Sequence, residues 1–349
     1  TCTPPTSDVQ ITLNAVANSP TVSVTTTTYG NTSVDLTASV SPNPGGGTVQ
    51  FYVDGNAVGS PVAVASNGSA TFNYNPSALA AGPHTVTASF SGYGVYESST
   101  SNGSTLTVEK RSLKIQADAK EKFYGDADPE FTYEIIEGNL VNGDKLSGKL
   151  DRVEGDDVKD YAILIGSLTA GDNYHIEFVS ANLTIKPASA TISVTDLKKV
   201  YNGDGQGATV TTSPVGLDVT VTYDGSTTLP VNYKEGGYAV LAVLNNSNYT
   251  AANGTGTLTI GKKAATVTAN NKTKTYGDEN PELDAAVTGT VNGDVLDYSL
   301  ATTATQFSAV NTYPIAVTLG TNANYEVTPA NGTLTIGKKA ATVTANNKT

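Results

Sequence analysis

Apolar and polar residues alternate at every second position in short runs along most of this chain, the period-2 mark of half-buried strands. Leu113, Ile115 and Ala117 form one such run, matched by Ala190, Ile192 and Val194 and again by Ala265, Val267 and Ala269. Leu183 with Ile185, Leu258 with Ile260, and Leu334 with Ile336 form a second set. Further strand-like runs cover 219–223, 238–243 and 313–319, separated by Gly, Asn, Asp and Pro turn clusters. The pattern predicts an all-β chain of small sandwich modules.

The runs recur. Residues 256–273 repeat without change at 332–349, a shift of 76 positions. The same period returns in Tyr124, Tyr201 and Tyr276 and in the Asn-Tyr pairs ending at Tyr174, Tyr249 and Tyr325. This divides the chain into modules at 110–187, 188–263 and 264–339, with 340–349 opening a further repeat. Between the last inward residue of one module and the first of the next the spacing is always five: Val108 to Leu113, Ile185 to Ala190, Ile260 to Ala265, Ile336 to Ala341. So short a connection, stiffened once by Pro187, predicts an extended rod with a constant relation between neighbours.

Residues 19–109 differ. Alternating runs there fall between turn signals about every 8–12 residues, as in a sandwich of two sheets. Residues 1–18 hold the run Val9, Ile11 and Leu13 and read as a linker or the end of a preceding module.

Composition narrows the possibilities. Hydrophobic residues make up 38%, and the 34 glycines bring the apolar share to about half, enough for packed cores. The formal charge is −12, and residues 19–109 contain no Lys or Arg, which argues against nucleic acid as a partner. No stretch approaches the roughly 20 apolar residues of a membrane span. The single cysteine, Cys2, has no partner within the chain for a disulfide.

Two families share the local motifs. Gly47-Thr48-Val49-Gln50-Phe51-Tyr52-Val53-Asp54-Gly55, with Leu79-Ala80-Ala81-Gly82-Pro83-His84-Thr85-Val86, resembles the bacterial immunoglobulin-like repeat of surface adhesins. Tyr124-Gly125-Asp126 with Pro129-Glu130 and Val141-Asn142-Gly143-Asp144 resembles the MBG domain (mostly beta, glycine) of the Tyr-Gly type. Tyr276-Gly277-Asp278 with Pro281-Glu282 and Val291-Asn292-Gly293-Asp294 does so too. The middle module departs, since Tyr201-Asn202-Gly203-Asp204 lacks the Pro-Glu, and it resembles a sister MBG type. The resemblance implies a secreted or surface-attached bacterial protein in which such modules are arrayed, located outside the cell.

Candidate chemistry is sparse. The two histidines, His84 and His175, lie in different modules and suit turn or surface roles rather than a triad or a zinc site. Asp126, Asp128 and Glu130, and again Asp278, Glu279 and Glu282, cluster carboxylates that could hold a structural calcium. The Gly beside Asp126 and Asp278 equally suits a turn closed by the carboxylate. Tyr124, Tyr201 and Tyr276 fit core packing with the hydroxyl at the rim, or a sugar-stacking contact. The Asn-x-Ser/Thr triplets at Asn67, Asn102, Asn182 and Asn253 follow from composition. A Lys–Asn cross-link is excluded from 19–109, which has no lysine before Lys110.

No catalytic, cofactor-binding or metal residue is assigned. The expected function is a repetitive stalk segment of a cell-surface adhesin, whose partners are neighbouring repeats and an unknown surface protein or glycan. The alternative is a carbohydrate- or protein-binding role for 19–109. A β-grasp-like arrangement with a short helix near 142–146 or 292–296 satisfies the same strand pattern.

Overall fold

In a computed structural model that describes residues 19–345, every regular element is a β-strand. The chain separates into two compact units, 1–186 and 187–349.

The first unit begins with a two-sheet sandwich. Ser19–Val24, Val34–Ser41 and Ser69–Tyr74 form one antiparallel sheet. The other runs, in spatial order, Thr27–Thr28, Ser104–Glu109, Gly82–Phe90, Thr48–Val53 and Asn56–Ala63. Alternate residues of both sheets meet inside, with Leu36, Val49, Phe51, Val86, Phe90 and Leu106 fully buried. Each such side chain contributes about 1.5–3 kcal/mol. Asp54-Gly55, at φ 48° and 78°, supplies the two positive-φ positions of a tight hairpin turn.

The same unit continues into a smaller sandwich. Arg111–Ala117 lies between Tyr133–Glu137, antiparallel, and Tyr174–Val179, parallel. The facing sheet orders Lys120–Phe123, Asn182–Lys186, Asp160–Leu164 and Asp151–Arg152. Leu113, Ile115, Ala117, Leu183 and Ile185, the alternating residues of the two end runs, are buried between them.

The second unit holds two sandwiches of this design. In the later one, Lys263–Ala269 lies between Ala285–Thr288 and Tyr325–Ala330. Lys272–Thr275, Gly332–Gly337, Thr312–Leu319 and Tyr298–Thr302 form its other sheet. In the earlier one the order Lys198–Val200, Gly254–Gly261, Tyr238–Leu244, Val219–Tyr223 is kept, but the opposite sheet is reduced. Thr191–Thr195 pairs with Thr209–Ser213, and the parallel partner of this edge is only the two-residue Tyr249–Thr250, bonded to Ala188–Ser189. The chain crosses to the other sheet early, at Gly254, where a Cβ would fall 2.7 Å from Ile192 and 2.8 Å from Val194. Ile192 and Val194 are therefore half-buried, whereas Ile115 and Val267, the counterparts of Ile192, and Ala117 and Ala269, those of Val194, are buried.

The helix that the strand pattern allowed near 142–146 and 292–296 is replaced by a turn at each place, with Asn142 and Asn292 at φ 56° and 52°. Cys2 and the run in 1–18 lie outside the described residues, as do 346–349, and 340–345 carry no strand.

Candidate functional site at the module joints

In each unit a module boundary carries the same constellation, and its parts are the motifs that the sequence repeats. The preceding module supplies a tyrosine. Thr27–Thr28 runs parallel to the module's last strand, and the Tyr29 N–H continues the ladder by donating to the Glu109 carbonyl at 2.9 Å. In the second unit Lys198–Val200 plays that part, and Tyr201 N–H donates to the Gly261 carbonyl, also at 2.9 Å. This short ladder fixes each tyrosine at the end of its module, pointing onward.

The following module supplies the receiver. Val141-Asn142-Gly143-Asp144 and Val291-Asn292-Gly293-Asp294 are tight turns, in which Asn and Gly take the positive φ that most residues avoid. The tyrosine of the Asn-Tyr pair locks each turn from below. Tyr174 Oη accepts from Val141 N–H at 2.9 Å and donates to Asp144 Oδ2 at 2.9 Å. Tyr325 Oη accepts from Val291 N–H at 3.1 Å and donates to Asp294 Oδ2 at 2.7 Å.

The two halves meet through that carboxylate. Tyr29 Oη donates to Asp144 Oδ2 and Tyr201 Oη to Asp294 Oδ2, each at 2.9 Å. The ring of Tyr29 stands edge-on to that of Tyr174, with centroids 5.5 Å apart at 78°, and Tyr201 to Tyr325 at 5.4 Å and 77°. Edge-to-face rings and a shared charged acceptor both have directional optima, so the contact constrains orientation as well as distance. All four tyrosines are buried.

Subsidiary contacts repeat as well. Asn173 Oδ1 accepts from Ala81 N–H at 2.8 Å, and Asn324 Oδ1 from Tyr233 N–H at 2.9 Å. In both cases the Asn of the Asn-Tyr pair holds a loop of the module before it. Leu79 and Val231, from those loops, pack against the following module's core. Each loop is also braced within its own module by the aspartate of an Asp-Gly turn. Asp54 Oδ2 lies 2.6 Å from His84 Nδ1, and Asp224 Oδ2 is 2.7 Å from Lys234 Nζ. Close approach leaves no room for a side chain at the glycine that follows the leading tyrosine by one or two positions. A Cβ on Gly30 would fall 2.3 Å from Val141, and one on Gly203 2.1 Å from Asn292.

Electrostatics follow the geometry. The hydroxyls of Tyr325 and Tyr201 hold the Asp294 carboxyl below its ordinary value of 3.8, against a smaller opposing effect of burial. Tyr201 is raised by its bond to that carboxylate, and Tyr174 mainly by burial. Burial pulls His84 down, but its bonds to Asp54 and to the Ala80 carbonyl outweigh this and leave it raised. Both ring nitrogens face acceptors, Asp54 Oδ2 and, at 2.9 Å from Nε2, the Ala80 carbonyl, an arrangement that only the imidazolium satisfies fully.

The sequence-marked candidates separate on this frame. Tyr201 is buried, but against the following module rather than within its own, while Tyr124 is half-buried and Tyr276 is exposed. For Tyr201, core packing inside its own module is thus corrected to a position at the module's end, while Tyr124 packs against the core of its own module. Asp128 is held by Lys122 Nζ at 2.7 Å and Arg152 Nε at 2.5 Å, which depresses its carboxyl, Arg152 contributing most. In the later module Lys274 Nζ reaches the carbonyls of Asp278 and Thr305. At Asp128 the charge is thus met by Lys122 and Arg152, and no three His, Cys, Asp or Glu side chains converge as a metal site among the described residues. His175 is exposed on its strand, and His84 is drawn into the loop brace.

The sequence motifs include Asp144, Asp294 and the Asn-Tyr pairs, but only the structure assigns them a role and brings Tyr29 to them. The Thr-Tyr-Gly at 28–30 shares its Tyr-Gly with 124–125 and 276–277, which was the available signal.

Comparisons with known proteins identify the families of these domains. Residues 5–109 match the bacterial Ig-like domain (group 3), 113–184 and 265–335 the MBG domain (YGX type), and 190–264 a further MBG domain. Among solved structures the chain is similar to a tetra-tandem repeat in the extending region of a large adhesion protein. Identity is 15% over 91% of this chain and 99% of that one, with a TM-score of 0.40. It is also similar to Drosophila N-cadherin EC1-4, at 8% identity over 84% and 92%, with a TM-score of 0.21. A search of curated proteins found no match.

Proposed function

Because the chain is a bacterial Ig-like domain followed by three MBG domains, we propose that it is a spacer segment of a bacterial cell-surface adhesin, which carries a distal binding region away from the cell. On this reading it acts outside the cell, performs no catalysis, and its partners are the neighbouring repeats of its own chain. The observation that carries the reading is the duplicated joint: Tyr29, Asp144 and Tyr174 in one unit, Tyr201, Asp294 and Tyr325 in the other. A spacer needs boundaries that resist bending, and a flexible linker of a few residues would not supply that. Here the boundary is a packed interface with directional bonds. Since a joint tyrosine is used up in contact between domains, it is not available to stack on a sugar.

Strands of six to eight residues rise about 3.3 Å per residue, so each domain with its turns should add about 30–40 Å of length. Small-angle scattering of the chain and of versions with one domain removed tests this. The expected result is a maximum dimension that falls by about that step with each domain. A full-chain dimension no longer than about 70 Å would contradict the spacer. Binding of cells or glycans by the Ig-like domain alone, in a single-domain deletion series, would favour the recognition reading instead.

A further inference from the structure

The last described module presents the leading half of a joint that no described residue closes as Asp144 and Asp294 close the other two. Lys272–Thr275 runs parallel to Gly332–Gly337, and Tyr276 N–H donates to the Gly337 carbonyl at 3.0 Å, the same ladder that sets Tyr29 and Tyr201. Gly277 follows at φ 92°, as Gly30 does at 80° after Tyr29. Yet Tyr276 is 42% exposed where Tyr29 and Tyr201 are 6%. Around Gly277 the close approach seen at Gly30 and Gly203 is missing, the nearest atom to a Cβ there being Lys339 Nζ at 3.8 Å.

The neighbouring loop tells the same story. Residues 303–311 precede Thr312–Leu319 as the Leu79–Ala81 loop precedes Gly82–Phe90 and the Val231–Tyr233 loop precedes Tyr238–Leu244. Gln306 ties this loop to the tyrosine corner, donating from Nε2 to the Gly277 carbonyl at 2.9 Å. Leu79 and Val231 pack on a following core, but Phe307 is 69% and Val310 47% exposed. Large apolar side chains left in water beside an exposed tyrosine mark a surface made to be covered.

We propose that Tyr276, Gly277, Phe307 and Val310 form a docking site whose partner is the entry face of a further MBG domain of the YGX type. That face carries a Val-Asn-Gly-Asp turn and an Asn-Tyr pair. The occupant is specified by the two joints in hand, where Asp144 with Tyr174 and Asp294 with Tyr325 receive the leading tyrosine. It is also specified by the sequence after Lys339, since residues 340–349 repeat 264–273, and in this chain that strand opens a module with such a face. Tyr276 Oη donates to the incoming aspartate, its ring meets the incoming tyrosine edge-on, and Phe307 and Val310 are covered as Leu79 and Val231 are.

The inference rests on the spacer reading and is tested separately from it, by tyrosine nitration with tetranitromethane read residue by residue in peptide mass spectra. Two proteins are compared: the present chain, and a chain in which a second copy of 264–339 follows Lys339, with phenylalanine at that copy's counterpart of Tyr276 so that its peptides differ in mass and its own end cannot be nitrated there. In the present chain Tyr276 should react while Tyr29 and Tyr201 are spared. In the lengthened chain Tyr276 should lose its reactivity, down to the level of Tyr201. Alanine at the added copy's counterpart of Asp294 should restore it, while that copy's other buried tyrosines stay protected and show it folded. Continued reactivity of Tyr276 beside a folded added copy would overturn the proposal, as would protection that the alanine leaves unchanged. A spacer with one loose joint would still lengthen in scattering, so the two failures are distinguishable.

Discussion

Tyr29 and Asp144, 115 residues apart and in different domains, share a hydrogen bond of 2.9 Å between Oη and Oδ2. The carboxylate oxygen takes a second bond from Tyr174 at the same distance, so one charged atom ties the end of one domain to the start of the next. Hydrogen bonds to a charged group contribute about 1.5–3 kcal/mol, roughly twice a neutral pair. In residues 19–186, Tyr29→Phe and Asp144→Ala should each destabilise, and a double-mutant cycle from denaturant melts should return a coupling of about 1–2 kcal/mol. Additive losses would show that the bond does not link the domains.

Gly203 and Gly277 offer a matched comparison. Both hold positive φ, at 85° and 92°, so alanine costs backbone strain of about 1 kcal/mol at either. Only at Gly203 does the new Cβ meet a neighbouring domain, 2.1 Å from Asn292 Nδ2. Gly203→Ala should therefore lower the melting temperature more than Gly277→Ala and raise the hydrogen exchange of the Tyr233 amide. Equal shifts would remove the joint as the reason for glycine at 203.

Acid should open the second unit's joint. The Asp294 carboxyl is held below 3.8 by the hydroxyls of Tyr325 and Tyr201. A depressed carboxyl stabilises above its unfolded value, and that stability is lost as pH falls through the depressed one. Near-UV dichroism of the tyrosines should change below about pH 3.8, and Asp294→Asn should remove that step. An unchanged acid profile in the variant would contradict the assignment.

His84 acts in the opposite direction. Its value is raised above 6.5, so the contribution of the Asp54 pair is complete below 6.5 and fades as pH rises through the raised value. The loop that it braces carries Ala81, whose N–H is bonded to Asn173 Oδ1. Exchange of the Ala81 amide, corrected for base catalysis, should accelerate across that range in the wild type and be fast throughout in Asp54→Asn.

The strands were legible because burial at every second position leaves its mark on neighbouring residues: Leu113, Ile115 and Ala117 are buried as their alternation requires. The two-residue partner strand at Tyr249–Thr250 was not, since Tyr249 and Leu258 keep the same spacing as Tyr174 and Leu183, and only the crossing at Gly254 changes the pairing. The joint was half legible. Asn142 and Gly143 announced a turn, and Tyr174 recurred with the period, but a bond across 115 positions leaves no local pattern. Tyr201 recurs with the period, but the apolar surface it covers belongs to the next domain, which no local pattern shows.

The most direct test of a joint that fixes orientation is NMR alignment of residues 19–186, with residual dipolar couplings fitted separately for the Ig-like domain and for the MBG domain. Coincident alignment tensors in the wild type, diverging in Asp144→Ala while each domain keeps its own couplings, is the expected result. Two different tensors in the wild-type protein would mean that the domains reorient freely, and that Tyr29, Asp144 and Tyr174 meet without holding them.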